Sequence, residues 1–284
     1  MKVAVTGATG FIGRHVVAKL EQRGVSPTLV CRPGSSIPQA LSHNQVVWMD
    51  VANAPADAFD RLGTPQVLMH LAWGGLPNYA SAHHLERELP GHRSFIEAVL
   101  DAGLSVLTVS GTCLEYGMQS GALNEEMPTA PVTQYGRAKD ELRRDLEQKR
   151  LSRPFDLTWA RLFYLYGEGQ AQGSLLPQLE AAIARGDDAF RMSGGEQLRD
   201  YLPVDEAAGY LVALALNGRD NGVVNVCSGR PVSVRELVEG MVARRGSSIE
   251  LDFGALPYPD YEPMAFWGDR RKLDRCLETT DGPV

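Results

Sequence analysis

Cysteine is scarce in this sequence: four residues in 284, at Cys31, Cys113, Cys227 and Cys276. No two stand close enough for a CxxC metal knuckle, and a chain of this size needs no disulfide framework to hold a core. Reduced thiols in packed positions are expected. Long apolar runs are absent as well. No stretch reaches the roughly 18 residues that a membrane-spanning helix needs. The opening Met1-Lys2-Val3-Ala4-Val5 is interrupted at Gly7, too early for a secretory signal. No membrane association and a cytoplasmic location are therefore expected. Positive charge is in deficit, 28 Lys and Arg against 35 Asp and Glu, for a net charge of −7. A net negative surface repels phosphate backbones, which argues against nucleic acid as a partner. Repeats and low-complexity tracts are missing. His83-His84 has no HExxH-type ligand set around it, so no metal site is expected.

What is present is alternation. A short apolar strand over 3–5 leads through a glycine-rich turn into a helix over 11–23, where Ile12, Val16 and Leu20 recur every four residues. Gly24 stops that helix. Further strands are read at 28–31, 46–49, 66–71, 105–109 and 155–160. Helices are read at 85–102 and at 135–149, the latter with Ala138, Leu142 and Leu146 on one face. Pro90 is expected to kink or break the first of these. Short apolar strands alternating with helices imply an α/β fold built on a doubly wound parallel sheet with right-handed crossovers. Beyond residue 166 the rhythm changes. Helices remain at 174–185, 205–216 and 234–245, the last opened by the capping pattern Ser233-Val234-Arg235-Glu236. The pieces between them are rich in Gly, Pro and aromatic residues and read as a smaller lobe.

The turn Thr6-Gly7-Ala8-Thr9-Gly10-Phe11-Ile12-Gly13 lies between the first strand and the first helix. Gly7 permits the tight turn, Gly10 lets the backbone approach a pyrophosphate, and Gly13 lets the helix pack close to the sheet. The helix N-terminus then offers free N–H groups to the phosphates. This context, rather than the glycines alone, predicts dinucleotide binding.

Tyr135-Gly136-Arg137-Ala138-Lys139 sets Tyr135 and Lys139 four residues apart, which places both on one helix face at about 6 Å between Cβ atoms. A free tyrosine titrates near 10, too high for efficient proton exchange at neutral pH, and an adjacent ammonium is expected to lower it. A hydroxyl partner is offered where Val109-Ser110-Gly111-Thr112-Cys113-Leu114-Glu115-Tyr116-Gly117 leaves the carboxyl end of a central strand, the side on which ligands bind in open α/β sheets.

The spacing GxxGxxG, in the form TGATGFIG, resembles the extended branch of the short-chain dehydrogenase/reductase superfamily, the NAD(P)-dependent epimerase/dehydratase family. The likeness runs over nearly the whole chain: His70-Leu71-Ala72, Pro128 and Pro131 before Tyr135, the segment Arg161-Leu162-Phe163-Tyr164-Leu165-Tyr166-Gly167, and Arg199-Asp200-Tyr201-Leu202-Pro203-Val204-Asp205. The resemblance implies a Rossmann-like dinucleotide-binding domain over 1–165 carrying the catalytic residues. It implies a mainly substrate-binding lobe over 166–284, with some segments returning to the first domain. Counting back from Tyr116-Gly117 puts Thr112 at the family's catalytic hydroxyl, with Ser110 as the alternative. It implies Gly7, Thr9, Gly10, Phe11, Ile12, Gly13, Asp50, Val51, Leu71, Ala72, Tyr135, Lys139 and Phe163 at the cofactor. It also implies Trp73, Thr112, Tyr164 and Arg199 at the substrate, and a homodimer through the helices near 85–102 and 135–149. Many relatives carry Asn where this chain has Tyr164.

In NAD-preferring relatives an acidic residue ends the second strand and binds the ribose 2′-hydroxyl. Here Cys31 stands there, followed by Arg32, with Arg14 expected to join the same pocket. No carboxylate repels a 2′-phosphate, and a guanidinium bonds it with charge assistance. NADP(H) is the expected cofactor, with NAD(H) as the alternative. Family dehydratases follow the catalytic Thr with Asp-Glu, whereas this chain has Cys113-Leu114, so dehydration is not expected. The resemblance implies NADPH-dependent reduction of the C4 ketone of a nucleotide-linked 4-keto-6-deoxyhexose. The alternatives are a nucleotide-sugar 4-epimerase, a reductase of a non-sugar ketone, and a non-catalytic NAD(P)-sensing regulator.

Overall fold

The computed structural model describes residues 1–278. The first part of the chain runs β1 (Val3–Thr6), α1 (Phe11–Gln22), β2 (Thr28–Cys31), β3 (Val46–Trp48), α2 (Ala58–Arg61), β4 (Val67–His70), α3 (Leu89–Asp101), β5 (Val106–Thr112), β6 (Gly121–Leu123), α4 (Gln134–Ser152) and β7 (Asp156–Leu162). The remainder runs β8 (Tyr164–Tyr166), α5 (Leu175–Arg185), β9 (Ala189–Met192), β10 (Leu198–Pro203), α6 (Val204–Leu216), β11 (Gly222–Val226), β12 (Pro231–Ser233), α7 (Val234–Arg245), β13 (Glu250–Phe253), β14 (Phe266–Gly268) and α8 (Arg271–Glu278). The last six residues of the expected 166–284 lobe lie outside the described residues.

Seven parallel strands form the main sheet in the order β11-β7-β5-β4-β1-β2-β3. The chain moves outward from β1 in one direction through β2 and β3, then in the other from β4. The order therefore reverses between β1 and β4, and a crevice opens beyond their carboxyl ends, where such sheets bind ligands. All four residues of β1 and of β4 are buried, as continuous apolar runs covered on both faces should be. On one face α1 and α6 pack Val16, Val17, Leu20, Leu211, Val212 and Leu214 into a single cluster. On the other, α3 and α4 bring Phe95, Ile96, Leu142 and Leu146 against Leu107, Leu157 and Trp159. The apolar spacing read from the sequence is what these faces bury.

The interruption expected at Pro90 takes the form of a change in helix type. A π-helical turn (His84–Glu88) runs directly into α3, with helical backbone at both Glu88 and Leu89, and the winding changes from π to α beside Pro90, which sits in the first turn of α3. β5 continues to Thr112 rather than stopping at 109, because Ser110, Gly111 and Thr112 pair in register with Ala160, Arg161 and Leu162 of β7. Ser233 caps α7 as its spacing predicts, accepting the Glu236 N–H at 3.0 Å.

After β7 the chain leaves the sheet and returns to it. α6 covers α1, and β11 pairs with β7 from Gly222 to Val226. Outside the sheet, α5, α7, β9 and β13 enclose a small core of Leu176, Leu179, Met192, Val234, Val238 and Ile249. β8, β10 and β12 form a three-stranded sheet beside it, and β14 pairs with β6. No described helix is long and apolar enough to cross a membrane.

Candidate active site

The glycine turn between β1 and α1 is shaped by close approach. Gly7 has φ of +68°, and a Cβ on it would lie 2.8 Å from the Ala72 nitrogen. A Cβ on Gly13 would collide with the Gly7 carbonyl. The turn can close only around hydrogen at both positions. Beyond it lies a cavity of about 370 Å³, lined by Gly7, Thr9, Gly10, Phe11, Ile12 and Gly13 from the turn, Cys31 and Arg32 from the end of β2, Asp50 and Val51 after β3, and Leu71, Ala72 and Trp73 after β4. Free helical N–H groups, a glycine floor and an arginine at the rim suit a dinucleotide. Asp50 is partly committed, since its carboxylate accepts from Ala52 N and Asn53 Nδ2.

Arg14 is not brought beside Arg32. Its guanidinium turns back to donate to the Gly10 carbonyl at 3.3 Å and to the Thr9 carbonyl at 3.5 Å, and it packs beside Gly169. These carbonyls, of which that of Gly10 also accepts the Arg14 N–H at 3.2 Å, hold the side chain against the turn. Phe163 likewise stands apart from this cavity and packs on Phe266.

Thr112, Tyr135 and Phe163 line a neighbouring cavity of about 430 Å³ together with Cys113, Tyr79 and Tyr164. Thr133 caps α4 by accepting the Gly136 N–H at 3.0 Å, and so sets where Tyr135 begins its turn. Lys139 stands one turn later, fully buried. Its Nζ donates to the Ser110 carbonyl at 2.9 Å and lies 4.0 Å from the Trp73 ring centroid. Burial lowers its affinity for a proton to about 7, against the pull of Glu115 and Glu88. The Tyr135 ring centroid is 5.9 Å from Nζ. The Tyr135 phenol is not lowered as expected: burial, with Tyr79, Glu115 and Cys113, pushes it up, and a hydrogen bond with Thr112 opposes them. Ser110 turns its hydroxyl to the His70 carbonyl, at 3.5 Å, rather than to this cavity.

Thr112 is held from behind. Glu115, with no exposed surface, accepts the Thr112 N–H at 2.8 Å, Trp159 Nε1 at 2.9 Å and Arg161 Nε at 2.7 Å. Thr112 Oγ1 in turn accepts from Leu114 N, which completes a capping box.

Toward the lobe, Tyr79, Tyr164, Tyr201, Tyr261 and Arg199 surround a third cavity of about 310 Å³. Arg199, expected to face a substrate diphosphate, is buried and already paired: Nη2 lies 3.0 Å from Glu262, and Nη1 donates to the Leu198 carbonyl. Tyr164 donates to the same Glu262 carboxylate. Trp73 lies on the dinucleotide side, over Lys139, and not among these rings. The sequence reading missed Glu262, Glu115, and the Glu88 and His92 side chains at the floor of the first cavity. The i,i+4 spacing of Glu88 and His92 and the Thr112-x-x-Glu115 capping pattern were local signals that could have found three of them, whereas Glu262 meets Arg199 across 63 residues. Among the described residues no three His, Cys, Asp or Glu side chains group as a metal site.

Known proteins share this architecture. A family model described as the NAD dependent epimerase/dehydratase family matches residues 3–227. The dTDP-6-deoxy-L-talose 4-dehydrogenase (NAD(+)) of Aggregatibacter actinomycetemcomitans is 27% identical over 270 residues, 94% of this chain and 99% of that one. The dTDP-6-deoxy-L-talose 4-dehydrogenase (NAD(P)(+)) of Kitasatospora kifunensis is 29% identical over 273 residues, 91% of this chain and 83% of that one. The structure of UDP-glucuronic acid 4-epimerase from Bacillus cereus, in complex with UDP-glucuronic acid and NAD, matches with a TM-score of 0.86 over 100% of this chain and 94% of that one, at 22% identity.

Proposed function

The chain belongs to the NAD dependent epimerase/dehydratase family, in the extended branch of the short-chain dehydrogenases/reductases, and from that premise we propose that it reduces the C4 ketone of a nucleotide-linked 4-keto-6-deoxyhexose with NADPH. The observation that carries the reading is the wall on which Thr112 and Tyr135 meet, with Cys113 and Leu114 beside them. That wall has a proton donor and a hydroxyl, but Cys113 and Leu114 stand where an acid and base for elimination of water would follow Thr112, and Glu262, the carboxylate that lines the cavity, is committed to Tyr164 and Arg199. The Cys113 thiol is pushed well above its ordinary range by burial and cannot stand in for that acid or base.

The nicotinamide supplies the hydride at the carbonyl carbon when the dinucleotide is bound. Tyr135 delivers its phenolic proton to the carbonyl oxygen. Thr112 donates a hydrogen bond to the same oxygen as charge develops there. Lys139 stands behind Tyr135, where it would bond the nicotinamide ribose, and below about pH 7, where it holds its proton, its charge favours the phenolate that remains. Arg32, with no carboxylate at position 31, favours a 2′-phosphate. The names of the two talose 4-dehydrogenases, one NAD(+) and one NAD(P)(+), show that both choices occur among relatives. Arg199 serves the substrate diphosphate by exchanging Glu262 for phosphate oxygens, since a guanidinium suits either anion. The same reading includes a homodimer through α3 and α4.

The test is NADPH consumption with a dTDP-linked 4-keto-6-deoxyhexose, beside NADH and a Tyr135→Phe variant. Stoichiometric loss of NADPH that falls by about a hundredfold or more in the variant supports the reading. Inversion at C4 without net consumption makes the protein a 4-epimerase instead, and binding of NADPH without any change in substrate makes it a sensor.

A further inference from the structure

Beneath the segment 71–74 lies a row of buried polar side chains that the reaction above does not use. Thr6 ends β1, His70 ends β4, His92 stands in the first turns of α3, and Glu88 precedes it by one turn. Their exposures are 0%, 0%, 2% and 4%. Thr6 Oγ1 is 3.0 Å from His70 Nδ1, His70 Nε2 is 2.7 Å from His92 Nδ1, and His92 Nε2 is 3.0 Å from Glu88 Oε2.

Valence fixes the direction of this row. Thr6 Oγ1 accepts the N–H groups of Leu71 at 3.1 Å and Ala72 at 3.2 Å. A hydroxyl has two lone pairs and one proton, so Thr6 donates to His70 Nδ1. Neutral His70 then carries its proton on Nε2 and donates to His92 Nδ1. His92 in turn carries its proton on Nε2 and donates to the Glu88 carboxylate. A second proton on either imidazole would set two donors against each other in a buried place. Burial pushes both imidazoles below their ordinary range. Burial raises the Glu88 carboxyl, but the hydrogen bonds from His92 and Gly74 outweigh it and bring it to about 2.

Both ends of the row grip the same segment of backbone. Thr6 takes the N–H groups of Leu71 and Ala72, and Glu88 takes that of Gly74 at 2.6 Å. Between them stands Trp73, whose ring stacks on His92 with centroids 4.6 Å apart and also covers Lys139 Nζ. We propose that Thr6, His70, His92 and Glu88 form a one-way hydrogen-bonded relay that fixes segment 71–74 and holds the Trp73 ring over Lys139, making Glu88 and His92 positioning residues for the Tyr135–Lys139 pair. The catalytic part of this rests on the reading of that pair given above. The other charged or titratable groups facing the row are Lys139 from α4, Asp50 after β3, and His83, whose Nε2 lies 2.9 Å from the second Glu88 oxygen. His83 is the partly exposed member, so a proton taken up there leaves the direction of the row intact.

The first measurement is long-range proton–nitrogen NMR of isotope-labelled histidine in the wild-type protein. Both His70 and His92 are expected as neutral Nε2–H tautomers throughout about pH 5 to 8, where an ordinary histidine titrates. Either one found as Nδ1–H or as imidazolium at neutral pH overturns the relay. Glu88→Gln, and His92→Phe, which keeps a ring against Trp73 and removes both nitrogens, then test positioning. Each is expected to lower kcat about tenfold with little change in the sugar KM, and to displace the pH profile of kcat, since positioning acts through Lys139 rather than on substrate. Wild-type kcat and profile in both folded variants would overturn the positioning role. The tautomer result needs neither variant nor substrate, so it stands apart from whether a ketosugar is reduced.

Discussion

Replacing Lys139 by methionine is expected to abolish turnover and to stabilise the fold. Lys139 is fully buried, and its one hydrogen bond goes to the Ser110 carbonyl. Burial brings its proton affinity from the ordinary 10.5 down to about 7, which corresponds to ~5 kcal/mol at about 1.4 kcal/mol per tenfold change. Below pH 7 both folded and unfolded chains hold the proton, and the folded chain bears the full cost. Between 7 and 10.5 only the unfolded chain holds it, so wild-type stability rises with pH across that window. Methionine fills a similar volume without charge but leaves the Ser110 carbonyl short of a donor, a loss of ~1–3 kcal/mol. The variant should therefore be more stable than wild type by ~2–4 kcal/mol at neutral pH, and the advantage should vanish near pH 10. Urea unfolding of both proteins at the two pH values measures the difference directly. A variant less stable than wild type at neutral pH, or a gap that does not change with pH, would refute the claim that Lys139 is held at the expense of the fold.

Glu115→Gln should cost ~3–5 kcal/mol, because it leaves the buried Arg161 guanidinium without a counter-charge. The same change should lower kcat about tenfold or more by loosening Thr112, with urea midpoints and initial rates as the readouts. Arg32→Ser should raise the KM for NADPH about tenfold and leave that for NADH nearly unchanged; equal effects on both would remove Arg32 from the choice of cofactor. Acid should weaken the protein early. The folded chain refuses the protons that His70 and His92 accept when unfolded, so stability should fall as pH drops through about 6.5. His92→Phe should flatten that fall in thermal melts between about pH 7.5 and 5.

The parts of the site that were legible in the sequence are local ones. Gly7, Gly10 and Gly13 sit within one turn, and Tyr135 and Lys139 share one helix face, so spacing alone brings them together. The sheet was legible because its strands are short apolar runs, and their ends moved only where pairing decided them, as at Ser110 to Thr112. What spacing cannot show is a partner far along the chain. Glu262 meets Arg199 across 63 residues, Glu115 meets Arg161 across 46, and His70 meets His92 across 22. A lone buried carboxylate looks like any surface one until the fold supplies its donors. For Arg14 the sequence shows its place beside the turn but not its partners, the Gly10 and Thr9 carbonyls.

The return of β11 to the edge of the sheet bears on how the chain can be cut and made. β7 finds its outer neighbour only after 222–226 have been synthesised, and α1 is covered by Leu211, Val212 and Leu214 only slightly earlier. A nascent or truncated chain ending near residue 165 would display a bare strand edge beside an uncovered apolar helix face, the combination that invites other chains to pair. The lobe cannot be trimmed away to leave a folded first half. A fragment over 1–165 should aggregate, whereas one carried through α8 should fold, because the residues that seal the first half are encoded within the second.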